Sequence, residues 1–141
     1  MTRSIRTICG VASLAAVTFV VACSGGGAAG SRLKEVQRVK SGELDIVLLS
    51  EDGALHQGKD AFVIEFRKAD GSLVDAGTVS TSANMVIPGM TMPGTVRVER
   101  SDVLGRYRAT GAFGMAGGWQ MKVEWNGPVG QGSVSFDGTV Q

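Results

Sequence analysis

Five methionines lie beyond residue 22, and three of them, Met85, Met90 and Met92, fall within eight residues. Thioether sulfur is a soft, neutral ligand that suits Cu(I) and needs no deprotonation to bind it. Met90 and Met92, two apart in an extended segment, would project from one face, and Pro88 and Pro93 stiffen that segment at either end. These three, with Met115 or His56 as further donors, are the candidate metal ligands, and copper(I) is the cofactor they would take. Methionine also fills irregular gaps in apolar cores. Met121 alternates with Trp119, Val123 and Trp125 and reads as core. On that plainer reading, the Met-Pro segment is a loop capping the fold.

Other chemistries find little support. Gly53 to Lys59 matches the first seven positions of a phosphate-binding loop, but Asp60 stands where a serine or threonine should hold magnesium, and a strand follows where a helix should begin. The glycine spacing in Gly25–Gly30 has no preceding strand. His56 is the one histidine, and nothing near any serine resembles a nucleophile elbow. One histidine and no cysteine in the mature chain argue against zinc, which needs three or four such ligands. The expectation is a protein that is not an enzyme.

The elements that must position these residues begin with a leader. Arg3 and Arg6 precede an apolar run from Ile8 to Ala22, shorter than the roughly 20 residues that span a bilayer. A basic segment followed by a short apolar one is the pattern of an export signal. It ends in Val20-Val21-Ala22-Cys23, which resembles the lipobox of bacterial lipoproteins, whose cysteine is acylated (palmitate and related chains) and becomes the mature N-terminus. Residues 1–22 are therefore expected to be a signal peptide, 23–34 the lipidated Cys23 and a Gly/Ala/Ser tether, and 35–141 one domain. Cys9 leaves with the signal and Cys23 is consumed by lipid, so no disulfide is expected. The partner implied is a membrane, reached through an N-terminal lipid anchor in the cell envelope. Ser24 follows Cys23 where an inner-membrane retention residue could stand, which points to the outer membrane, facing the periplasm, in a cell with two membranes. Without Arg3 and Arg6 the chain carries 12 basic and 13 acidic residues. That balance does not suit a nucleic-acid partner. Lys34, Arg38 and Lys40 read as a solvated, charged leader to the domain.

From there the chain is written in period two. Leu44-Ile46-Leu48, Phe62-Ile64-Phe66, Val96-Val98, Trp119-Met121-Val123-Trp125 and Val134-Phe136 each alternate with mostly polar residues, the code of a half-buried strand. Turn chemistry separates them at Glu51-Asp52-Gly53, Ala69-Asp70-Gly71, Gly117-Gly118 and Asn126-Gly127-Pro128. With Leu73–Val79 and Arg106–Phe113 this makes about seven strands. The spacing predicts an all-β fold, an antiparallel, immunoglobulin-like β-sandwich, with a small closed barrel as the alternative.

Three stretches carry a family resemblance: Met90-Thr91-Met92-Pro93-Gly94, Gly105-Arg106-Tyr107-Arg108-Ala109, and Phe113-Gly114-Met115-Ala116-Gly117-Gly118-Trp119-Gln120-Met121-Lys122-Val123. Over residues 40–141 the chain resembles the YtkA-like/FixH-like domain family, with the methionine-to-tryptophan step stretched by one residue. The resemblance implies a small β-sandwich at the membrane surface, among relatives that accompany copper handling, heme–copper oxidase assembly or metal efflux. It brings no catalytic residues, and it implies structural roles for Tyr107 and Trp119. The oxidase-assembly relatives hold a transmembrane helix where this chain has a lipobox. Two functions follow as expectations: copper(I) handling through the Met-rich loop, or a non-catalytic interaction module for an envelope protein partner such as an efflux assembly.

Overall fold

Strand after strand alternates a buried with an exposed side chain, and the structure follows that alternation closely. The computed structural model describes residues 32–141; the leader, Cys23 and most of the tether lie outside the described residues. Eight strands follow in order: β1 (Lys34–Ser41), β2 (Leu44–Ser50), β3 (Gly58–Lys68), β4 (Thr78–Ile87), β5 (Met90–Arg100), β6 (Arg106–Phe113), β7 (Gly117–Gly127) and β8 (Gly130–Val140). All neighbours are antiparallel, in the order β1-β2-β3-β6-β5-β4-β7-β8. The all-β antiparallel expectation holds.

β5 is where the sheet folds over. Its first half, Met90–Gly94, pairs with β4, and its second half, Thr95–Arg100, pairs with β6. Each half is therefore an edge on one side, which lets Pro93 sit inside a strand without breaking a ladder. The fold places β1-β2-β3-β6 opposite β4-β7-β8. The two outer strands, β1 and β8, then approach each other along the remaining side. The result is a sandwich nearly closed into a barrel.

The space between is filled by the alternating residues named above. Ile46, Leu48, Ile64, Phe66, Phe113, Trp119, Val123, Trp125 and Phe136 are all at least 95% buried. Edge-to-face stacking ties Phe66 to Tyr107 and Trp125, with centroids 5.5 and 5.4 Å apart. Trp125 packs so closely on β8 that a Cβ at Gly132 would stand 2.4 Å from its ring.

Two local expectations are corrected. Lys34, Arg38 and Lys40, read as a solvated, charged leader, lie in the first strand, β1, which the sequence reading did not count. A bulge between Glu35 and Gln37 breaks its alternation, and Arg38 pairs with Glu35 and Asp45. Leu73–Val79 is mostly connection rather than strand. Asp75 Oδ1 accepts the Gly77 N–H at 2.8 Å, and Gly77 takes a φ of 78°, so the strand begins only at Thr78.

Candidate functional site

Antiparallel pairing brings one set of connections to one end of the barrel. There lie the start of β1, the β2–β3 loop, the β4–β5 turn, the β6–β7 connection and the end of β8. Every candidate ligand is at this end.

The Met-Pro segment expected as a loop is a hairpin of two paired strands. Pro88-Gly89 makes the turn, with Gly89 at a φ of 80°. Met85 stands opposite Met92 across it, and Ile87 opposite Met90. In the other direction Met85 stands opposite Trp119 of β7. Met92, Met85 and Trp119 thus form one row across three strands, on the face turned to the core. Met85 is buried, Met92 is half-buried, and Met90, beyond the row toward the tip, is 61% exposed.

The β6–β7 connection, Gly114-Met115-Ala116, folds against this row. The Met92 sulfur lies 3.9 Å from where a Cβ of Gly114 would be, and the Met85 methyl 2.5 Å from the same position on Gly117. Gly117 also takes a φ of 135°, which favours glycine there, and a side chain at this position would displace the Met85 methyl. Trp119 holds the connection in place: its Nε1–H donates to the Met115 carbonyl at 2.9 Å. The Trp119 ring meets Phe113 edge to face at 5.3 Å and covers Gly94. Met115 itself is 44% exposed. Gln57 Nε2 donates to the Gly114 carbonyl at 3.0 Å, tying the β2–β3 loop to the same structure.

His56 belongs to that loop, but its ring is engaged elsewhere. Nε2 lies 3.1 Å from Asp52 Oδ2 and Nδ1 3.7 Å from Asp60 Oδ2. The Ala54 backbone N–H, which donates to Asp52 Oδ1 at 3.1 Å, holds the Asp52 carboxyl below its ordinary range. Among the described residues no three His, Cys, Asp or Glu side chains gather into a metal-binding group. The structure therefore brings Met85 and Met92 together, sets Met115 and Met90 at their border, and gives His56 carboxylate partners. Met121 is core, 3% exposed.

The donor chemistry fits one kind of ion. Neutral thioethers in a mostly apolar setting suit a soft monovalent cation, whereas a divalent ion would prefer imidazole or carboxylate. Trp119, Gly94 and Gly117 complete the surroundings of the pair. Sequence reading assigned Trp119 only a structural role, because nothing in the sequence says where an indole N–H points.

The model of the YtkA-like family matches residues 38–124, from within β1 to most of β7. No curated protein matches the chain. Among solved structures, FetP from uropathogenic E. coli strain F11 is similar at 11% identity and a TM-score of 0.49, covering 78% of this chain and 97% of FetP.

Proposed function

The chain belongs to the YtkA-like family, and on that premise we propose that it is an extracytoplasmic lipoprotein, anchored through acylated Cys23, whose domain binds copper(I). The ligands are the Met85 and Met92 thioethers, with Met90 or Met115 completing the set. One observation carries the reading: Met85 and Met92 face each other across the β4–β5 hairpin, against a connection that bears Met115. Two sulfurs held on paired strands lose little freedom on binding, which favours affinity. The lipobox and the short apolar run support export and anchoring. The domain holds the ion rather than performing chemistry on a substrate. Cu(I) titration against a competing chelator, with the wild-type protein and a Met85→Leu/Met92→Leu variant, tests this directly.

A second reading rests on its own observation. Val86, Met90 and Met115 are 70%, 61% and 44% exposed at the same end, and adaptable methionine surfaces suit protein contact. In that reading the hairpin tip is a hydrophobic contact for an envelope protein. It predicts tolerance of leucine at these positions and sensitivity to charge.

A further inference from the structure

The barrel has two apolar tips, one at each end. At the end just described, Val86, Met90 and Met115 are exposed. At the other, Leu104 and Val103 of the β5–β6 connection are 63% and 36% exposed. The chain enters the fold at the first end, because Lys34 of β1 pairs with Ser50 at the end of β2, beside the β2–β3 loop. Resting on the lipid-anchor reading above, we propose that the Val86/Met90/Met115 end seats on the bilayer that holds Cys23, its tips entering the boundary between headgroups and acyl chains.

Covalent lengths decide between the two tips. Ten residues, Ser24 to Leu33, separate Cys23 from β1, and fully extended they span about 35 Å. The longest strands, such as β7 with 11 residues, measure about 36 Å. To bring Leu104 to the membrane, the tether would have to run the whole length of the barrel fully stretched. The near tips lie at the end where the chain enters the fold, and so need none of that span.

The composition of the near tips agrees. Pro88-Gly89-Met90 and Gly114-Met115-Ala116 carry no charge, while the β5–β6 connection includes Asp102; the carboxylates of the near end, Glu51 and Asp52, belong to the β2–β3 loop beside these tips. The two near tips are also contiguous, since the Met92 sulfur lies against Gly114. Three apolar side chains on a free domain would bind lipid weakly. On a tethered domain the contact is intramolecular, and a high effective concentration makes weak contacts sufficient. Seated this way, the Met85–Met92 pair lies at the membrane-facing end of the barrel.

The test uses the full-length lipidated protein reconstituted into phosphatidylcholine/phosphatidylglycerol vesicles. Met90→Cys and Leu104→Cys each introduce the one free thiol of the mature lipidated chain, for labelling with an environment-sensitive fluorophore. Quenching by bromine-labelled acyl chains should be several-fold stronger at position 90 than at 104, and should fall when Met115→Asp is added. Equal quenching at the two positions, or stronger quenching at 104, on protein that floats with the vesicles would overturn the orientation while leaving the anchor intact. A label at 90 shielded from aqueous iodide in native envelopes but not reached by lipid quencher would assign the tip to a protein partner and also overturn it. A protein whose Cys23 carries no lipid mass and that does not float would overturn the anchor reading itself.

Discussion

Met85 and Met92 occupy opposing positions in one hydrogen-bonded hairpin, on the face turned to the core, and the same Met85 stands opposite Trp119 in the next ladder. A row of this kind sets thioether positions by backbone register rather than by side-chain chance. Two glycines accommodate the row. Gly117 gives space to the Met85 methyl, and Gly94 gives space to the Trp119 ring.

Gly132 is as constrained as either. Replacing it with alanine places a methyl 2.4 Å from the Trp125 ring. Overpacking of this sort costs about 1–3 kcal/mol, so Gly132→Ala should lower the melting temperature by roughly 4–8 °C per kcal/mol lost. Tryptophan fluorescence should shift as Trp125 moves. An unchanged melting curve would mean that β8 yields easily at this point.

Glu65 faces outward from β3 yet is only 1% exposed, held by Arg67 and by Arg106, whose Nη2 lies 2.6 Å away. Removing one member of a buried ion pair leaves the partners' charge uncompensated. The two arginines are partly exposed, so the loss on Glu65→Ala should be about 3 kcal/mol, the lower end for such pairs. Glu65→Gln, which keeps one acceptor, should lose less. Chemical denaturation measures both, and a neutral Glu65→Ala would contradict the arrangement.

Tyr107 supplies a pH-dependent reading. Its hydroxyl donates to the Gly77 carbonyl at 3.0 Å and lies 3.3 Å from Asp75 Oδ1. Burial, and then the Asp75 charge, push the phenol above its ordinary value of 10.0, with Arg100 opposing. A raised folded-state value stabilises the protein below the unfolded value, near pH 10, and the contribution is lost as pH rises through the folded one. Tyr107 is the one tyrosine of the chain, so ultraviolet absorbance titrates it alone. Ionisation should come above pH 10 in the native protein, and Tyr107→Phe should remove this component of alkaline destabilisation. Tyr107→Phe should also cost about 1 kcal/mol at neutral pH, the worth of a buried hydrogen bond. An ordinary titration in the folded state would contradict the buried, Asp75-facing position of the hydroxyl.

Much of this was legible because alternation and burial are the same fact in a barrel this small. Trp119, Met121, Val123 and Trp125 read as one buried stripe and are one. What escaped was set by partners distant in sequence. Residues 84–94 looked like a loop because Pro88 and Pro93 punctuate them, yet Pro93 sits at the one strand where the sheet changes partners and an edge accepts it. β1 was hidden by its bulge and its charges. The site was half-visible: spacing drew attention to Met85, Met90 and Met92, but only register shows that Met85 pairs with Met92 while Met90 lies beyond. His56 was grouped with them on residue type alone, and Asp52 and Asp60 face its ring nitrogens.

Copper(I) binding, as proposed, rests on the hairpin pair Met85 and Met92. Leucine nearly conserves methionine's volume, so Met85→Leu/Met92→Leu should cost less than about 1.5 kcal/mol per site and keep the fold. The decisive measurement is anaerobic Cu(I) titration of both proteins against a chromophoric chelator, with circular dichroism confirming equal folding. Binding by the pair should give stoichiometric competition by the wild type and its loss in the folded variant. No competition by the wild type, or equal competition by both proteins, would contradict it.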